Sequence, residues 1–352
     1  MLITNRPNSA EFPELDPRAR QVLGAVVREY IATAEPVAST QLVRGYKLDV
    51  SPATVRNELA ALEEAGLLTH PHTSAGRVPT DLGYRYFIET LMPSPSLRPE
   101  EQVTVSHQFQ QALQDTAAWL RVAASSLARL TAEASIVTTP ASKRTTLRHV
   151  EVVPVHERRV LLVAVVDGGA VRQQILELGT ATTAEQLRAL STRLTSSLSG
   201  ATATKVHEAV TAERGADADI AAALARILDE YDTVRAREVY VDGFQNILAK
   251  PEFAESDRSR AMLSLFEDHT RLAEILPLDL GDGEVHITIG REHRHESLRD
   301  CSLVIGRYGA SGDVVGFVGV VGPTRMDYAR SIGAVRYVGS LMSDLVRVME
   351  GR

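Results

Sequence analysis

A chain of 352 residues that is 44% hydrophobic and 24% charged has the makeup of an ordinary soluble globular protein of two or three domains. Its net charge of -7 excludes a protein that coats nucleic acid nonspecifically, since that mode rests on neutralising phosphates. A single cysteine, Cys301, excludes an intrachain disulfide framework and a CxxC zinc site. Nothing approaches the roughly 20 apolar residues of a membrane span, and residues 1–14 lack the basic start and apolar stretch of a signal peptide. A cytoplasmic protein with a loose tail over 1–14 is expected.

Residues 15–92 predict four short helices and a polar loop. Asp16-Pro17 is an N-cap followed by proline at the first helical position. Leu23, Val26, Val27, Tyr30 and Ile31 then share one face of a first helix. Pro36 breaks the chain, and Ser39 is placed to cap a second helix over about Thr40–Arg44. Ser51 and Pro52 open a third helix, which Gly66 is placed to end. Its stripe of Val55, Leu59 and Leu62 leaves Ala53, Asn57, Ala60 and Glu64 on the opposite face, with Thr54 and Arg56 at the edges. Alanines permit close approach, and Asn and Arg are the side chains that read adenine and guanine edges in the major groove. The order of elements predicts a helix-turn-helix.

A wing follows. Leu67–His70 reads as a strand, Pro71–Gly76 as a polar turn and Arg77-Val78 as the return, with hydroxyls and an arginine suited to phosphate or the minor groove. Thr80 is placed to cap a fourth helix carrying Tyr84, Phe87, Ile88 and Leu91. Against this, residues 1–92 hold nine Lys/Arg and eleven Asp/Glu. A winged helix used only for protein contacts would share these features, and that reading stays open.

Three prolines in Pro93–Pro99 predict a linker, and Glu100–Ala134 one long helix. HVEVVPV, RRVLLVAVV and AVRQQILEL, parted at His156-Glu157 and Asp167-Gly168-Gly169, predict an antiparallel meander. Residues 182–276 are mostly helical, interrupted by Val239–Gly243. Strands resume with VHITIG, CSLVIGRY and VVGFVGVVG, the last two joined at Gly312-Asp313, before a final helix over about Met326–Met349. Strands, helices, then strands again predict an α+β multidomain chain, with one domain over 100–181 and 277–352 interrupted by an insertion at 182–276.

EPVAST (Glu35–Thr40), SPATVRNELAALEEAGLL (Ser51–Leu68) and HPHTSAGRVPTDLGYRYF (His70–Phe87) resemble the heat-inducible transcription repressor HrcA family, whose PHTSAGR-P-T--GYR stretch is reproduced at Pro71–Arg85. NILAKPEFA (Asn246–Ala254), IGREHRHESLRDCSLVIGRY and VGVVGPTRMDYAR extend the likeness toward Met349. The sequence departs from the family pattern at Ala38, where Gly is usual, and at His293, where Asn usually follows Glu. The resemblance implies a winged-helix domain, a GAF-like domain and a dimerising domain inserted into it. It also implies an inverted-repeat operator, repression of chaperone operons and dependence on the GroEL chaperonin. A twofold homodimer would present two third helices to successive major grooves of double-stranded DNA. Asn57 is then expected at a base edge, Arg56 nearer the backbone, Ser51 and Thr54 on phosphates, and Thr73, Ser74 and Arg77 anchoring the wing.

Other chemistry is weaker. His293-x-His295 with Glu292, Glu296 and Cys301 has the residue types of a metal site, but so charged a segment reads as a solvated loop. Gly322–Arg325 lacks GxxxxGK[ST] and reads as a turn. No cofactor, metal or enzymatic activity is expected. A regulator sensing a small molecule in the GAF-like domain is the alternative, which a polar pocket would favour and a core of Val, Ile and Leu would not.

Overall fold

The computed structural model describes residues 3–4, 12–46, 50–71, 76–111, 116–142, 145–156, 158–166, 171–180, 182–210, 215–235, 239–253, 260, 262–264, 266, 272, 275–276, 280–281, 283–309 and 314–349. Helices and largely antiparallel sheets make it an α+β protein. Two units emerge: Met1–Pro140 with Val239–Ala310 and Gly316–Arg352, and Ala141–Glu238 with Ser311–Val315.

The first unit begins with strand β1 (Ile3–Thr4). Residues expected in a loose tail therefore pair, in parallel, with Val285 and His286. Helix α1 (Pro17–Thr33) starts as its sequence predicts, the Asp16 carboxylate accepting the Ala19 N–H at 2.8 Å. Val22, Leu23, Val26 and Val27 are buried. Helix α2 (Ser39–Gly45) starts one residue early. Ser39 is buried as its first helical residue, and Gln41 Oε1 accepts the Ala38 N–H at 2.7 Å.

Helix α3 (Pro52–Glu64) is capped by Ser51, and it packs on α1 and α2 through Val55, Leu59 and Leu62. It ends as expected at Gly66, whose φ is +74°. The Gly66 and Leu67 amides return to the carbonyls of Glu63 and Leu62, satisfying groups the helix end would leave bare. Strands β2 (Leu68–Thr69) and β3 (Val78–Pro79) pair antiparallel. Thr80 then caps α4 (Asp81–Tyr86), which continues as a wider π-turn over Phe87–Leu91.

The proline-rich stretch is no free spacer. Leu97 is buried, and the backbone at Ser96 runs against Gly333. Helices α5 (Pro99–Gln111) and α6 (Thr116–Thr131) replace the single helix expected, with 112–115 outside the described residues.

The large sheet contains β4 (Ala134–Thr138), and β5 (Ala141–Ser142) pairs with the first residues of β12. The second unit has its own meander: β6 (Leu147–His156), β7 (Arg159–Val166) and β8 (Val171–Glu177). The expected turn residues Glu157 and Asp167–Gly169 lie outside the described residues. Helices α7 (Ala184–Leu198), α8 (Ala203–Val210) and α9 (Ala216–Arg235) share one core with this meander. Val150, Val152, Val160 and Leu162 face Leu187, Leu190, Leu194, Leu224 and Leu228 in it. Ser191 and Thr195 of α7 also accept the Val152 and Val150 amides at 2.9 and 3.0 Å.

This division differs from the one expected. The meander belongs with the helices of the insertion, and residues 239–276 belong with the first unit. Element type had placed the boundary at residue 182. The boundary lies instead where one apolar face finds its cover.

The large sheet is completed by β9 (Val239–Asp242), β10 (Val285–Ile289), β11 (Cys301–Gly309) and β12 (Val314–Pro323), in the order β1-β10-β11-β12-β4-β9. The Gly312-Asp313 turn lies outside the described residues. Short helix α10 (Phe244–Leu248) follows β9. Helix α6 packs on β4, and the last helix, Tyr328–Met349, packs on β11. Ile136, Ile305, Val318, Val320, Ile332, Val335 and Val338 are buried. Each such burial stabilises by about 1.5–3 kcal/mol, and Trp119, Tyr308, Phe317 and Tyr328 are buried with them, so the core is more aromatic than the scarcity of aromatics predicts. Among the described residues no helix is long and apolar enough to cross a membrane.

Candidate nucleic-acid interface

Helix α3 presents its polar face outward. Ala53, Arg56, Asn57, Ala60 and Glu64 are exposed, and Thr54 is half-buried. Among the described residues, the Arg56 and Asn57 side chains have no hydrogen-bond or ion-pair partner, so both are available to a ligand. In particular, Arg56 makes no intrahelical pair with Glu63 or Glu64. Ser51 is exposed at the N-terminus, but its hydroxyl already accepts the Thr54 N–H at 3.1 Å and lies 3.0 Å from Thr54 Oγ1. The expected phosphate contacts of Ser51 and Thr54 thus sit where the helix amides point outward.

Arg77 is placed differently. Its Nη2 lies 2.6 Å from Glu63 Oε2, at the base of the hairpin. His70 Nδ1 pairs with Glu63 Oε1. One carboxylate of α3 therefore holds both sides of the loop. Hydrogen bonding from His70, followed by the charge of Arg77, keeps Glu63 below the usual carboxylate range despite some burial. Arg77 is also stitched to the turn before α2, where its N–H and C=O exchange 2.9 Å bonds with Val37. Thr73 and Ser74 lie outside the described residues.

Sequence reasoning missed Glu63, since its partners come from a hairpin whose closure no local pattern reveals. The signal was Gly76-Arg77. A Cβ at Gly76 would stand 2.5 Å from the Val37 backbone, so this turn requires close approach.

The bundle that carries α3 does not hang on a tether. Arg85 of α4 is buried, its Nε donating to Glu292 Oε1 at 3.0 Å and its Nη2 to both Glu292 Oε2 and the Ile287 carbonyl, the latter at 2.7 Å. Asp81 accepts the Arg291 N–H at 2.9 Å. Its carboxylate fills the space a side chain would take at Gly290, whose φ is +51°. Farther along, Arg325 pairs with Glu252 and donates to the Ile31 carbonyl at the end of α1 at 3.3 Å.

Within the segment expected to be solvated, Arg291, Arg294, Glu296, Arg299 and Asp300 are exposed, while Glu292 and His293 form part of an internal joint. Glu292 is engaged by Arg85, and His293 is buried, with burial lowering its pKa to about 4. Among the described residues no cluster of His, Cys, Asp and Glu could hold a metal ion.

Comparison with known proteins gives consistent matches. The family model described as HrcA protein C terminal domain matches residues 117–332. A heat-inducible transcription repressor HrcA of Roseiflexus sp. (strain RS-1) is 41% identical over 346 residues, covering 96% of each chain. The protein of that name from Herpetosiphon aurantiacus is 42% identical over 345 residues, covering 96% of this chain and 97% of its own. A crystal structure of a hypothetical protein shares the fold at 22% identity and a TM-score of 0.57, covering 95% of this chain and 99% of that one.

Proposed function

The chain belongs to the HrcA family of heat-inducible transcription repressors, which are not enzymes, and on that premise we propose that it represses transcription by binding an inverted-repeat operator as a homodimer. We read residues 15–92 as a winged helix-turn-helix, the large sheet with its helices as the GAF-like domain, and the second unit as the dimerising insertion. The observation that carries the reading is the outward face of α3, where Arg56 and Asn57 stand exposed between alanines.

Asn57 reads a base edge and Arg56 a flanking phosphate or base. Ser51 and Thr54 meet phosphate at the helix N-terminus, with Thr73 and Ser74 at the wing tip. Arg77 acts from the base of the wing, through Glu63. The acidic balance of the chain makes two linked half-sites valuable, since linkage raises affinity without new contacts.

Pairing is supported by the outer face of the meander. Val153, Val155, Val171 and Ile175 are exposed there, and the strand register sets Val153, Leu161 and Ile175 in one row. A second copy of the same face would cover this patch, as twofold pairing requires. GroEL, the partner implied by the family resemblance, would keep the repressor active, and chaperone operons would be its targets.

Selection of sites from a random duplex library by the full chain, with and without GroEL, tests this. Enrichment of an inverted repeat, strengthened by the chaperonin, is expected. A folded dimer that enriches no sequence contradicts the proposal.

A further inference from the structure

The outward face of α3 ends in a carboxylate that the fold does not use. Glu64 follows Asn57 by two turns of helix, so at about 100° per residue the two side chains leave the axis within about 20° of one another. Glu64 is exposed, and among the described residues it makes no hydrogen bond or ion pair. Its neighbours one turn back are Ala60 and Ala61, which offer it no cation, and the one cation on α3, Arg56, stands two turns away.

Its position is unfavourable for the helix alone. Glu64 is the last residue of α3, at the negative pole of the helix dipole, where a carboxylate destabilises. The adjacent Glu63 escapes this disadvantage, because His70 and Arg77 engage its two oxygens. Glu64 is turned about 100° from Glu63, away from the hairpin and onto the face of Asn57.

In the major groove a carboxylate selects by accepting alone. Cytosine presents an amino donor at N4, whereas guanine N7 and O6 and thymine O4 are acceptors that repel it, and adenine sets its amino group beside the N7 acceptor. Along the helix axis Glu64 lies about 10.5 Å beyond Asn57, the reach of about two to three stacked base pairs. The short side chains of Ala60 and Ala61 between them let the helix lie close.

We propose that Glu64 is a specificity-determining residue, accepting from the N4 amino group of a cytosine about two to three base pairs from the adenine that Asn57 reads. The inference rests on the reading of α3 as the helix that reads DNA.

The test uses the full chain and the selected inverted repeat, with each base pair of its half-sites changed in turn to the other three. Wild type, Glu64→Ala and Glu64→Gln are titrated onto this set by anisotropy at fixed salt. Thermal melts come first, and removing charge from the negative helix pole should not lower them. Asn57→Ala locates the adenine, as the position where its preference relaxes. Wild type is expected to lose about tenfold or more in affinity when the C·G pair within reach is replaced, as a base-reading contact implies. Glu64→Ala should accept all four bases there within about threefold and keep the other preferences. Glu64→Gln, which also carries donors, should shift the preference toward adenine. A duplex with 2-pyrimidinone, which lacks the 4-amino group, in place of that cytosine should weaken wild type and leave Glu64→Ala unaffected. A preference map of Glu64→Ala that matches wild type at every position overturns the proposal. So does tighter binding of that variant to every duplex alike, which would make the carboxylate a general repulsion of phosphate. A wild type that selects a repeat without a C·G pair in reach overturns this inference alone. A wild type that enriches no sequence overturns the repressor reading and this inference with it.

Discussion

Glu292 receives the Arg85 guanidinium on both of its oxygens, across 207 positions of sequence. Arg85 is 4% exposed. A cation so buried depends on its partner, and Glu292 also accepts the Ile289 amide at 2.8 Å, which holds the end of β10. Removing the carboxylate leaves the charge only the looser pair with Glu89, at 3.7 Å, and the Ile287 carbonyl, so Glu292→Ala should cost about 3 kcal/mol of stability in urea unfolding. A loss below about 1 kcal/mol, the range of surface pairs, would show that the joint carries little.

On α3, Arg56 and Asn57 should separate in their effects. Asn57→Ala should cost about 1–3 kcal/mol on the optimal site and relax preference at one base position. Arg56→Ala should weaken all duplexes alike if it meets phosphate, and lower the salt slope by about 1. Anisotropy titrations across several salt concentrations distinguish the two.

The wing offers a steric test. A methyl group at Gly76 meets the Val37 backbone, which has no flexible end to yield. Gly76→Ala should destabilise the protein by about 1–3 kcal/mol, as overpacking does. It should also free Arg77 from Val37, seen as faster amide exchange at both residues.

Glu133 predicts a pH effect. It is buried with Lys250 Nζ 3.1 Å from Oε1, while Oε2 has no partner among the described residues. Burial raises its pKa to about 7, against the opposing pull of Lys250. A carboxyl whose pKa is raised on folding holds its proton better in the folded state. Stability from this group is therefore full below its ordinary pKa of 4.5, falls as pH rises to about 7, and is level above. Across that window wild type should lose about 3 kcal/mol relative to Glu133→Gln, whose side chain does not titrate. Urea melts from pH 4.5 to 8 read the difference, and parallel curves for the two proteins would contradict it.

Much of α3 was legible because its determinants are local. Ser51, Pro52, Val55, Leu59, Leu62 and Gly66 lie within sixteen residues, and each is found in its expected role. Arg77 was not legible in the same way. Its charge suggested phosphate, but its partner Glu63 is brought to it by hairpin closure. The division into units failed for a related reason. The strands of the meander and the helices α7 and α9 are found where their periodicities place them, yet Val150 and Leu194 share a core that no local pattern joins. In the loop at Glu292 most charged residues are exposed as expected, and only Glu292 and His293 turn inward, because a buried partner such as Arg85 is not visible in the local sequence.

The most direct measurement is an anisotropy titration of wild type and Asn57→Ala onto the selected inverted repeat and a scrambled duplex, at fixed salt. The account predicts that wild type prefers the repeat by about 10³-fold or more, and that Asn57→Ala, still a folded dimer, loses much of that preference. Equal binding of both duplexes by wild type, or an unchanged preference in the variant, would contradict the claim that α3 reads DNA.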